Sequence, residues 1–197
     1  VIPEKKITEF IEKSLGEKLI EDFTEFYQNI LVLFSEKKFE EAKNLLENFL
    51  AENPNEFKSL GMYADTLSEL GLFSEAEDFL SSLSKEALDD TNVKSVIQKI
   101  NIKKKNSEGP SIDDLLNQII KKPGDIDLVL SLADKYFAEN MLAEAFELLL
   151  SNYKKNSEKI KEKFLEFFEA LGNENPQTIE YRKRLSSIMF AWLKLYE

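Results

Sequence analysis

One four-residue template recurs at a fixed spacing, and it constrains this chain more than any other feature. Phe39-Glu40-Glu41-Ala42 is followed by Leu46, and Phe73-Ser74-Glu75-Ala76 by Leu80. In each copy a small residue sits three positions after an aromatic and four before a leucine, and the two alanines lie one period of about 34 residues apart. A third copy, Leu142-Ala143-Glu144-Ala145 with Leu149, falls close to two further periods on. Each unit reads as a pair of helices that cannot bury its apolar face alone. Stacked neighbours therefore share one continuous core and leave a concave surface, which is a binding architecture.

This period is that of the tetratricopeptide repeat, and the expected fold is all-α: an α-solenoid of tetratricopeptide-type helical hairpins with closing C-terminal helices. The first hairpin is expected over about 21–35 and 39–52, ended by Asn53-Pro54 because the residue before proline disfavours the helical region. Asn29 and Ile30 stand where a leucine and a small residue are usual, so these two helices are expected to sit further apart. In the second copy Leu60, Tyr63, Ala64 and Leu67 form the first helix, Gly71 turns the chain, and Phe73, Ala76 and Leu80 form the second. Val93, Val96, Ile97 and Ile100 then mark an irregular helix that runs into Lys103-Lys104-Lys105-Asn106-Ser107-Glu108-Gly109-Pro110, the one stretch of linker composition. The three lysines read as a solvated helix end, favoured there by the helix dipole, or as a docking patch. Ser111 with Asp114 reads as a capping box, Pro123-Gly124 as a stop and Asp125 as the next cap. The expected organisation is a linker helix at 1–18, an N-terminal subdomain at 19–105 and a C-terminal one at 111–197.

Composition narrows the function. Lys and Arg number 26 against 37 Asp and Glu, a net charge of -11 that repels phosphate backbones, so nucleic acid is not an expected partner. Histidine and cysteine are absent, which removes the commonest general base, thiol nucleophiles and disulfides. Asp89-Asp90 and Asp113-Asp114 are adjacent carboxylates, which do not face each other on a helix, so no catalytic residue, metal or cofactor is expected. No apolar run approaches the ~18 residues of a membrane span, and no membrane partner is expected. The default location is the cytoplasm. Val1 opens the sequence without a methionine directly before a helix start, as a fragment would. There Ile7, Phe10, Ile11 and Leu15 make one apolar stripe that packs either on the first repeat or in an upstream domain.

Near the C-terminus, Phe167-Phe168-Glu169-Ala170-Leu171-Gly172, then Asn175-Pro176, then Tyr181-Arg182-Lys183-Arg184-Leu185 resemble the closing segment of the chaperedoxins. These are bacterial co-chaperones of the YbbN/CnoX type, with a thioredoxin-like domain followed by tetratricopeptide-type repeats. The order of repeats upstream is similar too, and Pro3 to Leu15 resembles the last helix of the thioredoxin-like domain. The resemblance implies binding of unfolded client proteins and hand-over to the chaperonin and the Hsp70 system, with the last helix in chaperonin docking. Redox activity of a thioredoxin-like domain is not implied for these residues, and Ala191 to Glu197 extend beyond the matched part.

The first-helix register places Tyr27, Leu31 and Phe34 on the concave wall of the first repeat, Lys58, Gly61, Asp65 and Ser68 on the second, and Asp127, Leu130, Asp134 and Phe137 on the third. A clamp for an acidic C-terminus needs several cationic donors there, and only Lys58 qualifies. The expectation is an apolar client groove of Tyr27, Leu31, Phe34, Leu130 and Phe137, although the first three are as well placed to pack on the N-terminal helix. On the last helix Tyr181, Leu185, Ile188, Trp192 and Tyr196 form a stripe, with Met189, Leu193 and Leu195 off it. The expected partner-binding residues are Tyr181, Arg182, Arg184, Met189, Trp192 and Leu195. The alternative reading is a non-catalytic scaffold that assembles folded partners.

Overall fold

The computed structural model describes residues 23–107 and 109–193, with side chains to Phe190. The helix expected over 1–18 lies outside the described residues. Those described form helices α1 (Thr24–Ser35), α2 (Phe39–Glu52), α3 (Phe57–Glu69), α4 (Phe73–Ser82), α5 (Lys85–Asp89), α6 (Thr91–Ser107), α7 (Ile112–Lys121), α8 (Ile126–Ala138), α9 (Leu142–Asn152), α10 (Ser157–Leu171) and α11 (Pro176–Leu193). The fold is an all-α array of helical hairpins: α1/α2, α3/α4 and α8/α9 are the three repeats, and α10/α11 close the chain.

The repeat shows in its backbone as well as its side chains. Lys37, Gly71 and Asn140 each turn a hairpin with positive φ, at 57°, 76° and 61°. The hydrogen bonds repeat around them. The amides of Lys37, Gly71 and Asn140 donate to Phe34, Ser68 and Phe137, and the next amide in each case donates to Leu33, Leu67 and Tyr136. This is the Schellman pattern, in which a left-handed residue satisfies the last carbonyls of the helix. Glycine meets the requirement without cost and asparagine nearly so; a lysine does not.

Local signals account for the other ends. Ser111 Oγ accepts from the Asp114 amide at 3.2 Å while the Ser111 amide donates to Asp114 Oδ2 at 3.3 Å, a reciprocal cap at the start of α7. Asp125 accepts from the Asp127 and Leu128 amides at 3.1 and 3.4 Å to open α8. Asn156 caps α10, and Gly172, with φ 81°, ends it.

Two apolar clusters fill the interior. Leu60, Ala64, Leu67, Ala76, Leu80, Val93 and Ile100 belong to the first. Ala133, Phe137, Ala145, Phe146, Leu149, Phe164, Phe167, Phe168 and Tyr181 belong to the second, which also takes Ile102. Ala64 and Ala76 are fully buried, as close helix contact in a hairpin requires. Ile30 stands one period before Ala64 and is equally buried. α6 belongs to both clusters: Ile100 faces one and Ile102 the other. The helix continues through the lysine run to Ser107, so the linker-like composition of Lys103–Ser107 is helical backbone packed between the halves.

Replacing Lys37 with glycine removes the left-handed penalty at an exposed turn. We expect a gain of about 0.5–1 kcal/mol, measured as a higher midpoint in thermal or urea unfolding, with a smaller gain for Asn140→Gly.

Candidate protein-interaction site

α6 rests on the concave wall of the second and third repeats. A Cβ built at Gly61 would lie 3.5 Å from the Asn92 carbonyl oxygen and 3.6 Å from a Val96 methyl, so α6 lies in van der Waals reach of α3 there. Lower on the same face, Lys99 Nζ donates to Asp65 Oδ2 at 2.7 Å and to Glu69 Oε1 at 3.2 Å, and Lys103 pairs with the same Glu69 oxygen. On the other wall, Asp134 of α8 is 2.8 Å from Lys163 of α10 and 3.8 Å from Lys105 of α6. Ser68, Asp134 and Phe137, expected on an open groove, are all buried. The groove is occupied by the chain itself.

The lysine run is thus neither a solvated helix end nor a docking patch as a whole. Lys103 reaches Glu69 on α3, Lys104 reaches Glu77 on α4 at 2.6 Å, and Lys105 lies within ion-pair range of α8. Burial alone would push the Glu69 carboxyl up, but the Lys99 and Lys103 ammonium groups more than offset this and hold it below the usual carboxylate range. Lys99 is held above its ordinary value: burial opposes the charge, and Asp65 and Glu69 outweigh it. Lys103 goes the other way, pushed down by burial and by the neighbouring Lys99. Burial pushes the Asp134 carboxyl up against the pull of Lys163.

A cleft of about 200 Å³ opens where α3, α6 and α8 end, lined by Glu69, Lys103, Asn106, Lys135 and Glu139 among others. Three helix C-termini give it a negative bias, which suits cations. The chain supplies them: Lys135 Nζ donates to the Asn106 carbonyl at 3.0 Å, and Lys103 holds Glu69. Among the described residues no three carboxylates gather where they could hold a metal ion, and no helix is long and apolar enough to cross a membrane.

The five groove residues do not form a groove. Phe137 is 2% exposed and stacks on Phe167 with ring centroids 4.4 Å apart, because α10 closes over the third repeat. Leu130 packs against the same cluster, half-buried. Phe34 meets Phe39 edge-on inside the first hairpin. Tyr27 is half-buried, its hydroxyl donates to Glu56 Oε1 at 2.6 Å, and Lys58 Nζ sits 3.9 Å from its ring centre. Burial, with the Glu56 bond, pushes the Tyr27 phenol up to about 12. Leu31, at 59% exposed, presents a free apolar surface.

On α11, Tyr181 is a core residue and not a surface anchor. It is 3% exposed, stacks on Phe146 at 4.5 Å and donates to Glu147 Oε1 at 2.9 Å. Arg184 is committed to the same carboxylate through both terminal nitrogens, one at 2.9 Å. Arg182 remains exposed over the Phe168 ring, 5.1 Å from its centre, and Met189 is half-buried against the C-terminal cluster. The Trp192 side chain and Leu195 lie outside the described residues. Missed in the sequence were Ile179 and Phe190, 45% and 66% exposed. Their spacing is three helical turns, which places both on the face that also carries Lys183, and that signal was legible in the periodicity.

Two family models described as tetratricopeptide repeat match the chain, one over residues 33–100 and the other over 105–190. The chain has the tetratricopeptide-repeat fold. Tetratricopeptide repeats are protein-interaction modules, and the exposed apolar side chains of α1 and α11 are where this one offers surface. No curated protein matches the chain. The crystal structure of a domain of protein VP0806, of unknown function, from Vibrio parahaemolyticus RIMD 2210633 is 26% identical, over 82% of this chain and 96% of that one, with a TM-score of 0.38.

Replacing Glu69 with glutamine leaves Lys103 without its counter-charge and weakens the hold of Lys99. At pH 7 the expected loss is about 1–3 kcal/mol in urea unfolding. Because the folded Glu69 pKa is depressed, its contribution is present above the unfolded value and lost as pH falls through the folded one. The difference between wild type and variant should therefore shrink below about pH 4.3.

Proposed function

We propose that this chain is a non-catalytic co-chaperone module that binds non-native proteins and docks on a chaperone, the chaperonin or the Hsp70 system, through its last helix. The resemblance of Phe167–Gly172 and Tyr181–Leu185 to the chaperedoxins supports it. The observation that carries it is the outward face of α11, where Ile179 and Phe190 are exposed on either side of Arg182 and Lys183. The last helix of a repeat array normally turns a polar face to water, so apolar anchors beside cations favour a partner surface with acidic groups around an apolar patch. Non-native clients would be held at the outer apolar side chains, Leu31 among them, and not in the filled groove.

A second reading, a scaffold for folded partners, is favoured by that same filling of the groove by α6, since no long apolar trough remains for an extended chain. Suppression of aggregation of a heat-unfolded test protein separates the two. A holdase suppresses it, and a scaffold does not.

Binding to purified chaperonin tests the docking. Ile179→Asp with Phe190→Asp changes exposed side chains and should leave the fold intact, while weakening binding by about tenfold or more. Unchanged binding, or no binding by the folded wild type, removes the chaperonin assignment.

A further inference from the structure

The first hairpin has a side that none of the described helices covers. α1 and α2 turn toward α3 through Tyr27, which meets Glu56 and Ser59, and Glu47, which accepts from Tyr63. At about 100° per residue, Leu33 lies about 120° round α1 from Tyr27, and Leu45 about 160° round α2 from Glu47. Both therefore face away from α3. Phe26, stacked on Phe49 with centroids 4.0 Å apart, joins the two helices, and Leu45 stays 43% exposed. Glu25 and Glu41, both exposed, stand two turns and one turn from these leucines and border the same side.

We propose that residues 4–15 of this chain are the occupant: they dock as a helix whose Ile7, Phe10, Ile11 and Leu15 cover Phe26, Leu33 and Leu45 and close the end of the array. Three observations select this segment. Its apolar residues repeat at helical spacing on one face, as a helix packed on one side requires. Phe23 packs edge-on against Phe49 with centroids 4.8 Å apart, so the chain enters the hairpin on the uncovered side, and residues 16–22 match the roughly 2–8 residues that usually join packed helices. Lys6 and Lys13 border the stripe and suit Glu25 and Glu41. A repeat array needs such an end cover, because its first hairpin has no neighbour to bury its outer side.

The absence of cysteine makes the test direct. The full chain carrying Ile11→Cys and Leu45→Cys is oxidised at low concentration beside a chain carrying Ile11→Cys and Gln28→Cys. Gln28 is exposed, lies beside Tyr27 and is closer along the chain, so a loosely tethered segment reaches it at least as fast. Docking predicts an intramolecular 11–45 disulfide formed about tenfold faster than the 11–28 one, through its higher effective concentration. Equal rates, a faster 11–28 pair, or an 11–45 link only between two chains overturns the proposal. In the unsubstituted chain, amides of residues 7–15 should exchange at least about tenfold slower than in a free peptide of that sequence. Free-peptide rates overturn it as well.

Discussion

Two lysines on α6 and two carboxylates on α3 set the arrangement on which the rest of the molecule depends. Lys99 and Lys103 stand one turn apart, as do Asp65 and Glu69, and the four form one partly buried ion cluster. Charges taken out of water are costly unless paired, so the cluster adds little net stability beyond an apolar contact. Its effect is on register. A slip of α6 by one turn along α3 would leave a lysine and a carboxylate buried and alone, a penalty that apolar contacts by themselves would not impose. The driving energy comes from Val93, Ile100 and Ile102, each almost fully removed from water.

From that placement the shape of the function follows. A repeat array offers its concave wall to a partner, and here α6 takes that position across the second and third repeats. What remains for binding is at the ends and outer faces: Leu31 and Val32 on α1, Leu116 and Ile120 on α7, Ile179 and Phe190 on α11. These are separate patches of modest size. They suit a module that engages partners by its termini better than one that wraps an extended peptide along its length.

The repeats were legible because their causes are local. Phe73, Ala76 and Leu80 recur at a helical spacing that any core would demand, Gly71 marks a left-handed turn, and Ser111 with Asp114 is a cap written in four residues. Lys37 hides the same turn, since nothing in a lysine announces positive φ. The destination of α6 was not legible. Lys103 to Lys105 look solvated until α3, α4 and α8 bring Glu69, Glu77 and Asp134 to them, and those acids are distant in sequence. Phe137 and Tyr181 were misplaced for a related reason: an aromatic on a first-helix wall or a last-helix stripe faces solvent only if no later helix covers it. α10 covers Phe137, and Phe146 of α9 covers Tyr181.

The central claim is that α6 joins the two clusters into one cooperative unit, and hydrogen exchange in the Ile100→Asp variant tests it most directly. Ile100 belongs to the first cluster alone. If α6 couples the halves, loosening it there lowers amide protection in α9 and α10 together with α3 and α4. Protection lost in α3 and α4 while α9 and α10 keep their wild-type rates would show that the halves fold independently, and would contradict the account.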